Sequence, residues 1–448
     1  MRNPSLEPLL ITAVTGIFLL VFLIIRNQVF TAQPVVIQVR QKIQPKEITP
    51  PVTIKLSGDS LKKAEPDSGV GMNTYIGMDP FFESLQQIPT DNTTIHIAYF
   101  GDSMIEGDLV THPLRRRLQK RFGGNGIGFI PVTSPQPGFR TTIIQHFNDE
   151  WKVYSFMKSG IQHDIFPGLS GYVFETQKGA EVTFRSEQGY GRFHQGTILY
   201  GGRNTFTASV MTDSLKNDIV FPSAAAVASF MIKPDTAFSV FNLKIITPEP
   251  AIIYGVNFEN GTGVYVDNYA FRGNSGLPLR QIPVSIFSGF NANLRNKLII
   301  IHYGLNVFTP GVADYNWYEQ AMRSVISHVK ASSPGIPILV ISMPDRAALI
   351  CGEYFTPAEL PDFIRLQKRV ADYEQVAFFN LFDAMGGVNS MRNWVEGKTK
   401  LAGDDYTHPN GSGAGRIAEL IYQYLMTGFY QFQQPHDSIT AKLPFKPL

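Results

Sequence analysis

Ile95–Phe122 reads IHIAYFGDSMIEGDLVTHPLRRRLQKRF. An apolar run with the pattern of a buried strand stops at Gly101-Asp102-Ser103, and an amphipathic helix follows. On that helix Leu114, Leu118 and Phe122 form a one-face stripe, and Pro113 fits its first turn. This order puts a serine hydroxyl on the turn at the carboxyl end of a strand, next to a helix amino terminus. Open α/β sheets bind ligands there, and helix N–H groups can stabilise developing negative charge. Ser103 is therefore a candidate nucleophile in need of a base.

The base is found near the other end of the chain, in Gly403–Gly413, GDDYTHPNGSG. Asp405 and His408 stand three residues apart, ahead of the apolar helical stretch Ile417–Phe429. A carboxylate at that spacing can accept a hydrogen bond from one imidazole nitrogen and fix the tautomer, leaving the other nitrogen free to take the serine proton. Between the two ends, Leu298–Asn306 (LIIIHYGLN) is a second apolar strand finishing in Gly304-Leu305-Asn306. An asparagine amide at a strand end is a suitable oxyanion donor.

Taken in order, these three blocks resemble the SGNH (GDSL-type) hydrolases, esterases and acyl-transfer enzymes on a flavodoxin-like three-layer α/β/α fold. The resemblance covers residues 90–145 and 265–430. It implies Ser103 as nucleophile, His408 as general base and Asp405 as its orienting carboxylate, with Asn306 and the Ser103 N–H as oxyanion donors. A further glycine donor has two candidates in Tyr269–Leu277 (YAFRGNSGL), Gly273 and Gly276, of which Gly273 is preferred. The sequence departs from the family pattern in three places: GDSM for GDSL, Val307 for an aspartate after the asparagine, and Tyr406 where glycine is common.

A second Gly-Asp-Ser, Gly58-Asp59-Ser60-Leu61, is the literal GDSL string. It sits in a stretch with Pro50, Pro51, Lys62, Lys63 and Pro66, where no helix of useful length can follow. Strand before and helix after select Ser103.

Across its 448 residues the chain is 44% hydrophobic and 17% charged, with a net charge of +2, which predicts no attraction to nucleic acid. The one cysteine, Cys351, excludes an internal disulfide framework and is expected as a small buried hydrophobe. No dinucleotide fingerprint, P-loop or paired-histidine metal motif is present, so no cofactor and no metal are expected.

Leu9–Ile25 is an uncharged apolar run at the short end of what spans a bilayer. It is expected as an uncleaved anchor in preference to a signal peptide, whose cleavage site would need a small residue where Phe30 stands. The expected organisation is a short terminal segment (1–8), a transmembrane helix (9–25), a linker (26–70), a first hydrolase part (71–145), an inserted all-β, jelly-roll-like domain (146–262) and a second hydrolase part (263–448). The insert accounts for the two hundred residues between Ser103 and Asn306. Its segments Gly171–Phe184, Thr205–Val210 and Ala237–Ile246 alternate like short antiparallel strands. It resembles the β-domain of some peptidoglycan and polysaccharide O-acetylesterases of the same superfamily.

Its aromatics, Trp151, Tyr154, Phe156, Tyr190, Phe193 and Tyr200, read as sandwich core before sugar platforms. The basic run with Arg115, Arg116, Arg117, Lys120 and Arg121 reads as a solvated helix face. Glu106 and Asp108 read as helix amino-end charges. The Ser342–Arg346 strand end is a candidate pocket wall.

The resulting expectation is a membrane-anchored serine esterase; the flanking charges do not settle its orientation, and the resemblance implies a catalytic domain outside the cytoplasm. It removes O-acyl groups, acetyl foremost, from an envelope or extracellular polysaccharide or from peptidoglycan. One alternative is an O-acyltransferase using the same residues beside a membrane acyltransferase partner. The other is a catalytically silent glycan-binding envelope protein.

Overall fold

The computed structural model describes residues 73–134, 140–157, 165–187 and 191–434. The proposed anchor, the linker and the second Gly-Asp-Ser at Ser60 lie outside them. Among the described residues no helix is long and apolar enough to cross a membrane.

Strand–helix alternation builds a five-stranded, all-parallel sheet. Its strands in chain order are Thr94–Gly101, Gly263–Ala270, Asn296–His302, Ile338–Ile341 and Ala377–Phe379. In space they run second, first, third, fourth, fifth, the flavodoxin-like doubly wound order. Every residue of Thr94–Gly101 is buried, as a parallel strand covered on both faces requires. Helices Asp79–Asp91, Thr111–Phe122 and Gly411–Phe432 pack together in one layer; Val284–Leu294, Asn316–Ser332 and Leu360–Tyr373 form the other. The strand order reverses between Thr94–Gly101 and Asn296–His302, which opens a crevice at their carboxyl ends.

The long insertion forms two antiparallel sheets of six and five strands. They enclose a second core containing Phe184, Phe193, Phe206, Phe241 and Phe258. Trp151, Phe193 and Tyr200 are buried in that core, so packing accounts for them; Tyr190 lies outside the described residues. The strand Gly128–Pro131 pairs with Ile252–Glu259 and so also belongs to the six-stranded sheet.

Several contacts tie the β-sheets to the parallel sheet and its helices. Ile252–Glu259 ends the insertion and, after a three-residue turn, the chain enters the sheet-edge strand Gly263–Ala270. Helix Val284–Leu294 packs on strand Ala224–Ile232, with the Asn293 amide donating to the Val227 carbonyl at 3.2 Å. Deep in the seam lies His96, fully buried, with Nδ1 at 2.8 Å from Asp267 Oδ2 and Nε2 at 3.0 Å from Glu259 Oε1.

Burial alone would push His96 down, but the carboxylates of Asp267 and Glu259 override it and raise its pKa to about 9. The unfolded imidazole titrates near 6.5, so this bridge stabilises fully below that pH. Its contribution is lost as pH rises through about 9. Thermal melting should fall steadily from pH 6.5 towards 9, and His96→Gln should flatten that slope. Equal slopes in the two proteins would remove His96 as the cause.

Candidate active site

Each candidate side chain is delivered by the end of one element. Gly101 closes the first strand, and a Cβ there would stand 2.9 Å from the Ile105 side chain and 3.2 Å from the His302 carbonyl. Glycine leaves room there for Ile105 as the chain enters the short 3₁₀ turn Ser103–Asp108. That turn is capped by the Asp102 carboxylate, which accepts from the Met104 N–H at 3.0 Å. The asparagine strand ends in the same way at Gly304, whose φ of +144° is left-handed territory pressed against Met343.

His408 comes from the loop before the last helix. Asn410 caps that helix, its side-chain oxygen accepting from the N–H groups of Ser412 and Gly413, each at 3.0 Å. Tyr406, at φ +53°, takes the left-handed conformation that favours glycine. Its ring stacks on Tyr354 and its hydroxyl donates to Glu396 at 3.0 Å. These contacts offset a conformational penalty of about 1 kcal/mol.

The structure brings the distant serine and histidine segments together. Ser103 Oγ lies 2.9 Å from His408 Nε2, and His408 Nδ1 lies 2.7 Å from Asp405 Oδ2. The other Asp405 oxygen accepts from the His408 and Thr407 N–H groups at 3.0 and 3.1 Å. Burial pushes the Asp405 carboxyl upward, but the hydrogen bonds from His408 and Thr407 outweigh it and hold the pKa below the usual range. The carboxylate therefore stays ionised and keeps the proton on Nδ1, leaving Nε2 to accept from the serine. The separation of Ser103 and His408 that would mark a silent site is not found.

Asn306 lies beside this pair. Its amide donates to Asp102 Oδ2 at 3.1 Å and to the Asn274 carbonyl at 3.2 Å. Both amide hydrogens are thus engaged, and an oxyanion would have to replace one acceptor. Asp102 is the partner that sequence reasoning missed, although it stands inside the Gly-Asp-Ser motif. Its carboxyl is 1% exposed, and burial raises its pKa to about 6 against the pull of Met104, His408 and Asn306.

Of the two glycines, Gly276 has its N–H engaged with Asn274 Oδ1 at 2.9 Å and its Cα against the Tyr303 ring. Gly273 has φ +74° and open space around it. Its loop is pinned to the serine strand by the Phe271 N–H, which donates to the Gly101 carbonyl at 2.9 Å.

Two expectations are corrected. Arg115 is not on a solvated face: it is 0% exposed and makes two 2.9 Å bonds to Asp108. The helix turns it inward, and its charge is met by a carboxylate buried beside it. Arg116, Lys120 and Arg121 are exposed as expected. Cys351 is exposed, at φ +51° on a hairpin turn between Ala348–Ile350 and Glu353–Phe355, because the strand ends before it. As for the Ser342–Arg346 strand end, buried Asp345 holds neighbouring loops through Thr356, Ser390 and the Met391 N–H. Arg346 donates to the Phe308 carbonyl and feels the charge of Asp405. Among the described residues no group of three or more His, Cys, Asp or Glu side chains could hold a metal ion.

The sequence profile of the GDSL-like lipase/acylhydrolase family matches residues 254–416. No curated protein matches the chain. Among solved structures, a peptidoglycan O-acetylesterase superposes with a TM-score of 0.66 at 23% identity, covering 80% of this chain and 99% of that one. A family two carbohydrate esterase from Clostridium thermocellum, solved with cellohexaose, gives a TM-score of 0.25 at 12% identity, covering 59% of this chain and 99% of its own. A salicylyl-acyltransferase from a tetracycline biosynthetic pathway gives 0.28 at 13%, covering 68% and 97%. The last two superpositions are too weak to bear on the site. The first shows the fold, α/β core and additional sheets together.

Proposed function

We propose that this chain, a serine ester hydrolase of the GDSL type, removes O-acyl groups, acetyl foremost, from an envelope or extracellular polysaccharide. We further propose that it works from an N-terminal membrane anchor with its catalytic domain outside the cytoplasm. The observation that carries the chemistry is the Ser103–His408–Asp405 chain of hydrogen bonds at 2.9 and 2.7 Å.

Ser103 Oγ attacks the ester carbonyl while His408 Nε2 takes its proton. The imidazolium that forms is stabilised by ionised Asp405. The tetrahedral oxyanion is held by the Asn306 amide, the Ser103 N–H and the Gly273 N–H. His408 then protonates the departing sugar alkoxide, leaving an acyl-serine. Water, deprotonated by the same histidine, attacks that ester and returns the free serine.

The polysaccharide is supported by the likeness of fold to a peptidoglycan O-acetylesterase, and the anchor by the apolar run Leu9–Ile25. Incubating the full-length protein with O-acetylated peptidoglycan and with an O-acetylated neutral polysaccharide should release acetate from at least one. Acetyl groups appearing on an added sugar acceptor, without free acetate, would replace hydrolysis by transfer. For the anchor, the protein should stay with membranes through an alkaline carbonate wash, and deletion of residues 1–25 should release it. Extraction of the full-length chain by carbonate would dismiss the anchor.

A further inference from the structure

A cleft of about 150 Å³ opens where the β-sheets meet the serine turn. One wall is Glu106, three residues after Ser103, with Arg272, one residue before Gly273; the other includes Ser170 and Tyr172 from the insertion. Thr133 and Arg140 close its end. The cleft is thus continuous with the catalytic turn and walled by both parts of the protein.

Its charges are unbalanced. Arg272 pairs with Glu106, Nε donating to Oε2 at 2.8 Å. Arg140 lines the same space, and its Nη1 is buried with no hydrogen-bond partner among the described residues. The carboxylates of Asp108 and Asp267 both attract Arg140, but Asp108 is bonded to Arg115, Thr111 and Thr142, and Asp267 to His96 and the Phe129 N–H. The lining itself carries two guanidiniums and one carboxylate. A buried donor without an acceptor is unfavourable by about 1–3 kcal/mol and marks a place where an acceptor belongs. Beside it stand the hydroxyls of Thr133, Ser170 and Tyr172, with the Tyr172 ring held by stacking on Phe271 at 4.7 Å. Hydroxyls, a fixed aromatic ring and an arginine are the chemistry that recognises an acidic sugar.

We propose that this cleft is a subsite for a carboxylate-bearing sugar next to the acylated one, with Arg140 binding the carboxylate and Arg272 shared between it and Glu106. This deepens the esterase reading and rests on it for the position of the scissile ester. The carboxylate could be a lactyl ether or a uronate; both present the same two oxygens to a guanidinium.

The test compares matched acidic and neutral sugars on the full-length protein: N-acetylmuramic acid with N-acetylglucosamine, and glucuronic acid with glucose. Binding is read by saturation-transfer NMR and by inhibition of p-nitrophenyl acetate hydrolysis. One acid should bind roughly tenfold more tightly than its neutral partner, the gain of one charge-assisted contact, and which acid does so identifies the source. Arg140→Gln should abolish that difference. Arg272→Gln, at a half-exposed position, should reduce it even if the Arg140 variant fails to fold. Acid and neutral sugars binding alike, or not at all, would overturn the subsite, as would a difference that survives in both variants. Absence of p-nitrophenyl acetate turnover in the parent would instead count against the esterase reading, and the NMR comparison would still decide the cleft.

Discussion

Replacing Ser103 with alanine should lower p-nitrophenyl acetate turnover by about 10⁴-fold or more, while Ser60→Ala should leave it unchanged. The two serines share the tripeptide Gly-Asp-Ser, so the string does not separate them. Geometry does so for Ser103, whose Oγ lies 2.9 Å from His408 Nε2, with Asp405 Oδ2 2.7 Å from Nδ1 of the same ring. Alanine at this position removes one oxygen and leaves the Asp102 cap of the turn in place, so stability should move by no more than about 0.5 kcal/mol. Lost activity with unchanged melting is then a chemical effect. The residual rate over water would report the oxyanion donors alone. Retention of more than a tenth of the activity would put the nucleophile elsewhere.

Asn306→Ala should reduce kcat by about 10²–10³-fold, the usual effect of losing one oxyanion donor, with little change in KM for a small ester. A second effect should accompany it. The Asn306 amide is one of the groups that favour ionised Asp102, whose carboxyl is nearly fully buried and has a pKa raised to about 6. A carboxylate with a raised folded pKa stabilises the fold when protonated and weakens it as pH rises through the folded value. Without the amide that folded value climbs further, so the melting deficit of the variant should be larger at pH 8 than at pH 5. A loss of kcat with the same deficit at both pH values would detach Asn306 from Asp102. An unchanged kcat would remove Asn306 from the oxyanion site.

The parts of this site that could be read from the residues are those where chemistry coincides with a change of period. Ser103, Asn306 and His408 each stand where an apolar strand stops or a helix begins, and Gly or Asn marks the turn. The insertion announced itself through alternation and the distance between blocks. What could not be read is pairing between segments far apart in the chain. Nothing local distinguishes Arg115 from Arg116, yet the first is buried on Asp108 and the second is exposed. A basic residue at the edge of an apolar stripe is expected outside until a buried carboxylate is known. Asp102 was hidden for a different reason. Its role depends on Asn306, two hundred residues away, and on a degree of burial that only the closed sheet produces. Cys351 shows the opposite error, because an apolar neighbourhood, Ala347–Ile350, continued past the end of its strand into an exposed turn.

The passage of Ile252–Glu259 through one short turn into Gly263–Ala270 also bears on how the protein would choose its substrates. A domain hung on a flexible linker can close over whatever arrives, and its reach then depends on linker length. Here the last β-strand of the insertion and the edge strand of the parallel sheet are nearly one piece of chain, joined again by the His96 bridge and the contact of Asn293 with Val227. The wall carrying Tyr172 and the turn carrying Ser103 are held at one spacing. For the polysaccharide substrate proposed above, that spacing would act as a fixed gauge, and lengthening the 260–262 turn should change which sugar chains are hydrolysed.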